Sequence, residues 1–285
     1  MSTPPRTPSR SPSHSEARRE HRVTVRSLAA RRRRSERFSM LTAYDYPFAK
    51  VFDAAGIDVL LVGDSLANVV QGLETTLPVT VDEIVYHTRM VARAARRALV
   101  VADMPFGSYH GSIDEAVRNA VRLVKEGGAH AVKLEGGESR AAALAAIVAA
   151  EVPVMGHVGL TPQSIHAMGG YRVQGRSEAG RQRVLADARA VEAAGAFAVV
   201  LEGMPSDLAR EITGSLAIPT IGIGAGVDCD GQVLVMHDLL GLNDAGAPSF
   251  VKQYANLGSI AGRAARAFAE EVADGKFPGP EHSYR

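Results

Sequence analysis

Between residues 38 and 237 the chain repeats one pattern, a short apolar run followed by an amphipathic, alanine-rich stretch. The apolar runs are continuous rather than alternating, which is typical of parallel strands buried on both faces. Eight strands alternating with helices over about 250 residues predict a (β/α)8 TIM barrel, with a doubly wound open sheet as the alternative. The predicted strands are 38–43, 58–63, 98–103, 130–135, 153–158, 197–202, 218–223 and 232–237.

The stretches between these runs predict helices within a single domain. No linker of mixed Pro, Gly and Ser composition divides the chain after residue 38, so residues 23–285 are predicted to form one catalytic barrel domain. Several helices are expected to end at a glycine, as at Gly56, Gly195 and Gly214. The predicted helices are 24–34, 81–97, 113–126, 139–150, 178–194, 205–214 and 259–274.

Residues 1–22 form a leader rich in Ser, Pro and Arg, and this composition predicts disorder. An organelle transit peptide is the alternative that the composition leaves open. Residues 1–40 hold eleven Arg and three Glu, a net charge of +8, whereas the remaining residues hold 21 basic and 28 acidic side chains, a net charge of −7. The body is therefore acidic, which argues against a nucleic-acid partner.

The single cysteine, Cys229, excludes an intramolecular disulfide and a cysteine-based zinc site. The apolar runs are too short to span a membrane, and no apolar segment behind the N-terminus is typical of a secretory signal. We therefore expect a cytoplasmic protein without a membrane partner.

Polar residues stand where most of the predicted strands end, and in a barrel the chemistry gathers at that edge. Helix capping accounts for some Asp and Ser residues but not for a Lys or a Glu. Lys133 and Glu135 are two residues apart in one strand and so face the same side, where a charged pair is costly unless it is used. The strand-end residues are Asp64, Ser65, Asp103, Lys133, Glu135, His157, Glu202, His237 and Asp238.

Three of these acids, Asp64, Asp103 and Glu135, come from adjacent predicted strands. Carboxylates without His or Cys neighbours are hard oxygen ligands that suit Mg²⁺. The alternative is that the acids pair with Lys133 and cap helices. A trio of buried, unpaired carboxylates is costly and typical of functional sites, which favours the metal site.

The remaining polar residues suggest substrate contacts and proton transfer. Lys133 could anchor an anionic group or neutralise the acids, and Glu202 is a candidate general base, with a structural buried Glu as the alternative. His157 could donate to a substrate oxygen or be a core histidine. We expect the backbone of 222–226 to approach a ligand or turn sharply, and 169–175 to belong to a lid.

Ten segments of the chain lie in the order and spacing of a known enzyme family, among them VGDSLANVVQG (62–72), VVADMPFGSY (100–109), AVKLEGGE (131–138), GHVGLTPQS (156–164) and VLEGMP (200–205). The series closely resembles ketopantoate hydroxymethyltransferase, the 3-methyl-2-oxobutanoate hydroxymethyltransferase of pantothenate biosynthesis. The resemblance covers roughly residues 23–285. It implies a barrel of the phosphoenolpyruvate mutase/isocitrate lyase superfamily, one Mg²⁺ per subunit and a homo-oligomer, commonly a decamer.

Carried over position by position, the resemblance also implies roles and a reaction. Glu202 would be the proton acceptor. A hydroxymethyl group would pass from 5,10-methylenetetrahydrofolate to 3-methyl-2-oxobutanoate through a Mg²⁺-stabilised enolate, giving 2-dehydropantoate and tetrahydrofolate, the first committed step toward pantothenate and coenzyme A. The metal ligands would be Asp64, Asp103 and Glu135, the last directly or through water. The substrate contacts would be Asp64, Ser65, Asp103, Lys133 and His157.

Two other functions remain as alternatives. The first is a Mg²⁺-dependent 2-oxo acid lyase or mutase of the same superfamily, which usually carries a cysteine in a KKCGH-like run; Cys229 lies in VDCDG. The second is a non-catalytic barrel module, against which the costly charges of Lys133 and Glu202 argue. One departure from the family pattern, Ala67-Asn68 in place of a frequent Gly-Met, could reshape the loop over the metal.

Overall fold

The computed structural model describes residues 21–243 and 248–284, so nearly all of the predicted leader lies outside the described residues. The described chain forms a closed barrel of eight parallel strands in sequential order, with β1 paired to β8. This confirms the predicted (β/α)8 barrel and excludes the open sheet. The strands are β1 Phe38–Thr42, β2 Val59–Val62, β3 Leu99–Asp103, β4 Ala131–Glu135, β5 Val154–Gly159, β6 Ala198–Glu202, β7 Thr220–Ile223 and β8 Gly231–Leu234.

Helices surround the barrel and extend beyond it. One of them, α2, begins after Asp45, whose carboxylate accepts a hydrogen bond from the N–H of Phe48 (2.8 Å), and ends at Gly56, where the sequence analysis expects a helix to stop. None of the helices in the described ranges is long and apolar enough to cross a bilayer. The helices are α1 Val25–Arg33, α2 Tyr46–Ala55, α3 Leu66–Val69, α4 Val81–Ala94, α5 Ile113–Lys125, α6 Ala141–Ala149, α7 Ile165–Met168, α8 Glu178–Ala193, α9 Ser206–Ser215, α10 Met236–Leu240 and α11 Leu257–Ala273.

Several predicted boundaries are wrong: α4 ends at Ala94 rather than at residue 97, and β7 begins at Thr220 rather than at residue 218. β8 ends at Leu234, where its pairing with β1 ends, and His237 and Asp238 lie on the short helix α10 rather than at a strand end. Gly214 does not end α9, which continues through Ser215. The helix ends where Leu216 turns away into the core, so burial of that side chain decides the end of the helix.

Two apolar clusters build the core, one between the strands and the helices and one inside the barrel. The inner cluster is closed from below by Leu28 of α1, and Val23 packs into it as well. An ion pair between Arg31 and Asp58 (2.9 Å) ties α1 to the start of β2. Because α1 fills the amino end of the barrel, the carboxyl ends of the strands form the face at which a cavity opens.

Candidate active site

The inward faces of four adjacent strands change from apolar to charged toward their carboxyl ends. Residues two apart in a strand face the same side, so this change places the charges at the bottom of one cavity. The cavity has a volume of about 610 Å³, within the ~300–1,000 Å³ of small-molecule sites. The inward series are Leu99-Val101-Asp103, Ala131-Lys133-Glu135, Met155-His157 and Ala198-Val200-Glu202. All seven predicted site residues line this cavity: Asp64, Ser65, Asp103, Lys133, Glu135, His157 and Glu202.

Lys133 lies between two of the acids. Its neighbour in the sheet register is Asp103, and its Nζ is 2.9 Å from Asp103 Oδ1 and 3.8 Å from Glu135 Oε1. Burial opposes the charge, but the carboxylates of Asp103, Glu135 and Asp64 outweigh it and raise the pKa of Lys133. Lys133 is therefore a fixed cation at the bottom of the cavity.

Asp64 follows β2 and lies beside Asp103. The backbone N–H of Asp64 donates to Asp103 Oδ2 (3.0 Å). A Cβ at Gly63 would lie 2.7 Å from Ser65 Oγ, so a larger residue there would displace the Ser65 hydroxyl. Burial, with the nearby charges of Asp103 and Glu135, raises the pKa of Asp64 to about 8. Burial also raises the pKa of Asp103, against the opposing effect of Lys133.

Ser65 lies at the edge of this acidic group. Its Oγ is 2.9 Å from the Tyr44 hydroxyl, and either group can be the donor. Tyr44 is buried, and burial raises the pKa of its phenol, so it stays neutral. The contact fixes the Ser65 hydroxyl at the cavity wall, where it can reach a ligand.

His157 lies between two glutamates. Its Nδ1 is 3.2 Å from Glu135 Oε1 and its Nε2 is 3.1 Å from Glu202 Oε2. Burial and the Lys133 ammonium lower its pKa, but the two carboxylates outweigh them and raise the pKa of His157 to about 9. The imidazole is therefore a cation near neutral pH. In return His157 and Lys133 outweigh burial and lower the pKa of Glu135.

Charge-based reasoning on the sequence misses two residues, Gln163 and Tyr109. Both are buried, and the Tyr109 hydroxyl donates to Gln163 Oε1 (2.6 Å). Gln163 in turn contacts Asp64 and Glu135. Both residues stand within segments that carry the family resemblance, TPQS and PFGSY, but neutral side chains in loops give no charge or periodicity signal.

The donor chemistry of the cavity fits Mg²⁺. In the described part of the chain, no three carboxylate, imidazole or thiol groups already form a metal centre. Asp64 and Asp103 nevertheless supply carboxylate oxygens close together, since the backbone N–H of Asp64 bonds to Asp103 Oδ2. Mg²⁺ commonly binds one or two carboxylates together with water and substrate. Burial and then the charges of Asp103 and Glu135 raise the pKa of Asp64, and a divalent cation would favour its ionised form. Glu135 is already engaged by His157 and the N–H of Gln163, which suits contact through water.

Comparison with known proteins gives the family of the chain. The family model described as ketopantoate hydroxymethyltransferase matches residues 22–280. The chain belongs to the ketopantoate hydroxymethyltransferase family. It is 60% identical to the 3-methyl-2-oxobutanoate hydroxymethyltransferase of Frankia alni over 266 residues, which cover 93% of this chain and 88% of the relative. It is 58% identical to that of Moorella thermoacetica over 264 residues, 93% of this chain and 98% of the relative.

Solved structures give the fold of this ketopantoate hydroxymethyltransferase family member. Phosphonopyruvate hydrolase superposes with a TM-score of 0.60 at 16% identity, covering 92% of both chains. 2,3-Dimethylmalate lyase, a member of the phosphoenolpyruvate mutase/isocitrate lyase superfamily, superposes with a TM-score of 0.57 at 17% identity, covering 92% of this chain and 89% of the other. These solved structures share the predicted barrel fold.

Several further predictions concern the loops of the ketopantoate hydroxymethyltransferase chain. Tyr171, Arg172 and Val173, from the predicted lid, line the cavity, and closure of this loop stays a prediction. Gly224 also lines it and turns with a φ of 58°; a Cβ there would lie 2.9 Å from the Phe250 ring. The backbone of 222–226 was expected to approach a ligand or to turn sharply; at Gly224 it turns and lies close to the ring of Phe250. Cys229 is buried and does not line the cavity, unlike the cysteine expected of the lyase alternative.

We predict that His157 makes the stability of this protein depend on pH. Its pKa in the fold is about 9, above the ~6.5 of an unfolded histidine. Its contribution is therefore full below pH ~6.5 and is lost as the pH rises through about 9. The full contribution is on the order of 3 kcal/mol.

Urea unfolding of the wild type and of His157→Gln at several pH values measures this contribution. The difference in the free energy of unfolding should shrink steadily from pH ~6 to pH ~9.5. A difference that stays constant over this range would contradict a cationic His157.

Proposed function

We propose that this chain transfers a hydroxymethyl group from 5,10-methylenetetrahydrofolate to 3-methyl-2-oxobutanoate, giving 2-dehydropantoate and tetrahydrofolate. Family membership supports this reaction class. The observation that carries the residue roles is the convergence of two close acids, a buried cation and a His–Glu pair on one cavity. The acids and the cation would bind a small anionic 2-oxo acid, and the His–Glu pair would remove its C3 proton.

Asp64 and Asp103 would hold Mg²⁺, with Glu135 acting through water. When bound, the ion supplies a Lewis acid that draws electrons from the keto group of the substrate and makes the C3 proton more acidic. The solved phosphonopyruvate hydrolase complex with oxalate and Mg²⁺ has the same fold, at 15% identity and a TM-score of 0.60. It supports the fold of the site, whereas the assignment of the metal ligands is our proposal from the donor geometry of this chain.

Lys133 and Ser65 would bind the carboxylate and keto oxygens of the substrate. Lys133 is a buried cation that the neighbouring carboxylates keep charged, and Ser65 has a hydroxyl at the cavity wall. Both lie on the side of the cavity that carries Asp64 and Asp103. This arrangement would orient the 2-oxo acid with its C3 atom toward the opposite side.

Glu202 would be the base that accepts the C3 proton. Its side chain is 17% exposed and lines the cavity two strands from Glu135, and His157 lies against its Oε2. The 3.1 Å contact with His157 Nε2 limits the movement of the Glu202 carboxylate and would hold it toward the substrate. The carbon freed of its proton would then bond to the methylene carbon of the folate, and both C–N bonds of that methylene carbon would break. Water would supply the hydroxyl oxygen of the product, while the C3 proton and one proton of the water would go to the two folate nitrogens, so that tetrahydrofolate leaves.

The outer part of the cavity would hold the folate. Its walls include Tyr171, Val173 and Phe250, which are partly exposed apolar or aromatic side chains. A flat ring system needs an apolar slot with few polar contacts. The keto acid is small compared with about 610 Å³, so the cavity has room for a second ligand.

Proton NMR tests the proposed reaction. The purified enzyme is incubated with 3-methyl-2-oxobutanoate, methylenetetrahydrofolate and Mg²⁺, and a parallel sample contains EDTA. We expect 2-dehydropantoate to form only without EDTA. In D₂O without folate, Mg²⁺-dependent loss of the C3 proton signal would support the Glu202 half of the site alone. A folded, metal-loaded enzyme that gives neither signal would overturn the proposal.

We also propose that the enzyme is a cytoplasmic homo-oligomer, with a decamer as the expected size. No residue of α11 is buried in the described protomer, although its side chains include Ile260, Phe268 and Val272. Phe268 is 56% exposed. An amphipathic helix that leaves this apolar surface open is typical of a surface covered by another subunit.

Replacing Phe268 by Glu is expected to reduce the size of the oligomer. A charge in a desolvated interface costs several kcal/mol, enough to weaken association by 10²-fold or more. Light scattering coupled to gel filtration at micromolar protein gives the mass, and Arg266→Gln on the same helix is the matched control. An unchanged mass for Phe268→Glu would contradict a role of α11 in assembly.

A further inference from the structure

Gln163 joins three of the strand ends that surround the cavity, two through its side-chain amide and one through its backbone N–H. Gln163 lies in the loop after β5 and is 4% exposed, beneath rather than within the cavity lining. Its Nε2 donates to Asp64 Oδ2 (2.8 Å), beyond β2, and to the carbonyl of Met104 (3.0 Å), beyond β3. Its backbone N–H donates to Glu135 Oε2 (3.0 Å) at the end of β4. We infer that Gln163 is a positioning residue that holds Asp64 and Glu135 in the arrangement that binds the divalent cation.

The orientation of the Gln163 amide follows from its partners. Both Nε2 hydrogens point to acceptors, Asp64 Oδ2 and the Met104 carbonyl, while Oε1 accepts from the Tyr109 hydroxyl (2.6 Å). Turning the amide by 180° would set Oε1 against two acceptors and leave no good partner for Tyr109. Tyr109 is itself held because its oxygen accepts from the N–H of Glu135 (3.2 Å). With Asp64 ionised, as it would be when it binds a cation, the network is closed and admits one arrangement.

This arrangement divides the two oxygens of Asp64 between different tasks. Oδ2 is engaged by Gln163, which orients the carboxylate plane. Asp64 lines the cavity, and Oδ1 is then the oxygen that we assign to the cation. Residues behind a ligating carboxylate orient it, and their loss typically weakens metal binding by ~10–100-fold. Gln163 orients Asp64 through its side chain and Glu135 through its backbone N–H.

The inference rests on the proposed metal site, so its test measures metal binding rather than turnover. Mn²⁺, a paramagnetic probe, is titrated into the wild type, Gln163→Met and Tyr109→Phe, and free Mn²⁺ is followed by electron paramagnetic resonance. Methionine keeps the length of glutamine but removes the amide, and the dissociation constant should rise ~10–100-fold. Tyr109→Phe should give a smaller increase, because Gln163 keeps its bond to Asp64 but loses its own support.

Two controls separate positioning from general destabilisation. Gln182→Met makes the same chemical change on the exposed side of α8, where the amide bonds only to Glu178, and should bind Mn²⁺ like the wild type. Thr88→Val removes a buried hydroxyl bond within α4, remote from the cavity lining, and should lower the melting temperature without weakening Mn²⁺ binding. Together these controls show whether lost stability alone changes the dissociation constant.

The possible results are distinct. If Gln163→Met does not fold, Tyr109→Phe, which loses a single oxygen, decides the question. Dissociation constants within twofold of wild type in the folded variants would overturn the inference. A wild type that binds no Mn²⁺ would overturn it together with the metal ligands. A wild type whose Mn²⁺ affinity falls when Gln163 is replaced, but which forms no 2-dehydropantoate, would contradict the proposed function and support the inference.

Discussion

Replacing Asp64 or Asp103 by Asn is expected to lower kcat/KM by at least ~10³-fold, and excess Mg²⁺ should not restore it. Each change removes one of the two anionic donors proposed for the cation. Losing the Lewis acid withdraws several kcal/mol of stabilisation from the developing negative charge, and about 4 kcal/mol corresponds to ~10³-fold in rate. Asn has nearly the same shape, so the cavity should keep its form.

The stability of Asp64→Asn distinguishes lost chemistry from lost folding. Burial and the neighbouring carboxylates raise the pKa of Asp64 to about 8, so its ionised form destabilises the metal-free fold at pH values above the ~4 of an unfolded aspartate. Removing that charge should leave the melting temperature of the metal-free protein unchanged or higher at pH 8. The turnover should nevertheless be lost.

A matched control is Asp82→Asn. Asp82 is exposed on α4 and pairs with Arg122 (2.6 Å), away from the cavity. Its replacement should change kcat/KM by less than about twofold, because exposed ion pairs contribute little. Near-normal Mg²⁺-dependent activity of either Asp64→Asn or Asp103→Asn would contradict the metal assignment.

Glu202→Gln is expected to lower kcat by ~10²–10⁴-fold, the usual contribution of a positioned general base. Glutamine keeps the shape and a hydrogen-bonding oxygen next to His157, but it cannot accept the C3 proton. In D₂O the variant should no longer exchange the C3 proton of 3-methyl-2-oxobutanoate, which NMR follows directly. Mn²⁺ binding should stay within about threefold of wild type, because Glu202 is two strands away from Glu135.

Glu211→Gln is the control for this substitution. Glu211 lies on α9, outside the cavity lining, and pairs with Arg181 (2.9 Å) on the exposed surface. It should exchange the C3 proton at the wild-type rate. If Glu202→Gln also exchanged it at that rate, another group would be the base. Taken with the Asp64 variant, the measurements separate metal binding from proton transfer.

Most of the fold could be predicted because its signals are local. Each buried strand is a continuous apolar run, and the predicted strands overlap the eight observed ones. The exceptions are places where a tertiary contact decides. β8 stops where its pairing with β1 stops, and α9 continues through Gly214 until Leu216 enters the core. Neither contact leaves a trace in the nearby sequence.

The candidate site could be predicted in its charged members for a similar reason. Lys133 and Glu135 stand out because charges inside an apolar run are costly, and parallel strands bring their carboxyl ends to one edge. His157 was predicted, but its partners were not. That the imidazole lies between Glu135 and Glu202 depends on the positions of three strands, and those two contacts make it a cation.

The sequence by itself determined the barrel, the family and the identity of the charged residues around the cavity. Periodicity, strand ends and ordered motifs can all be recognised from the order of residues along the chain. Only the tertiary structure decided which groups touch and which protons they hold. The high pKa of Asp64 and the contact of Gln163 with it, 99 residues apart in the chain, arise from desolvation and neighbours on other strands. Such effects depend on distance in space, to which distance along the sequence is no guide.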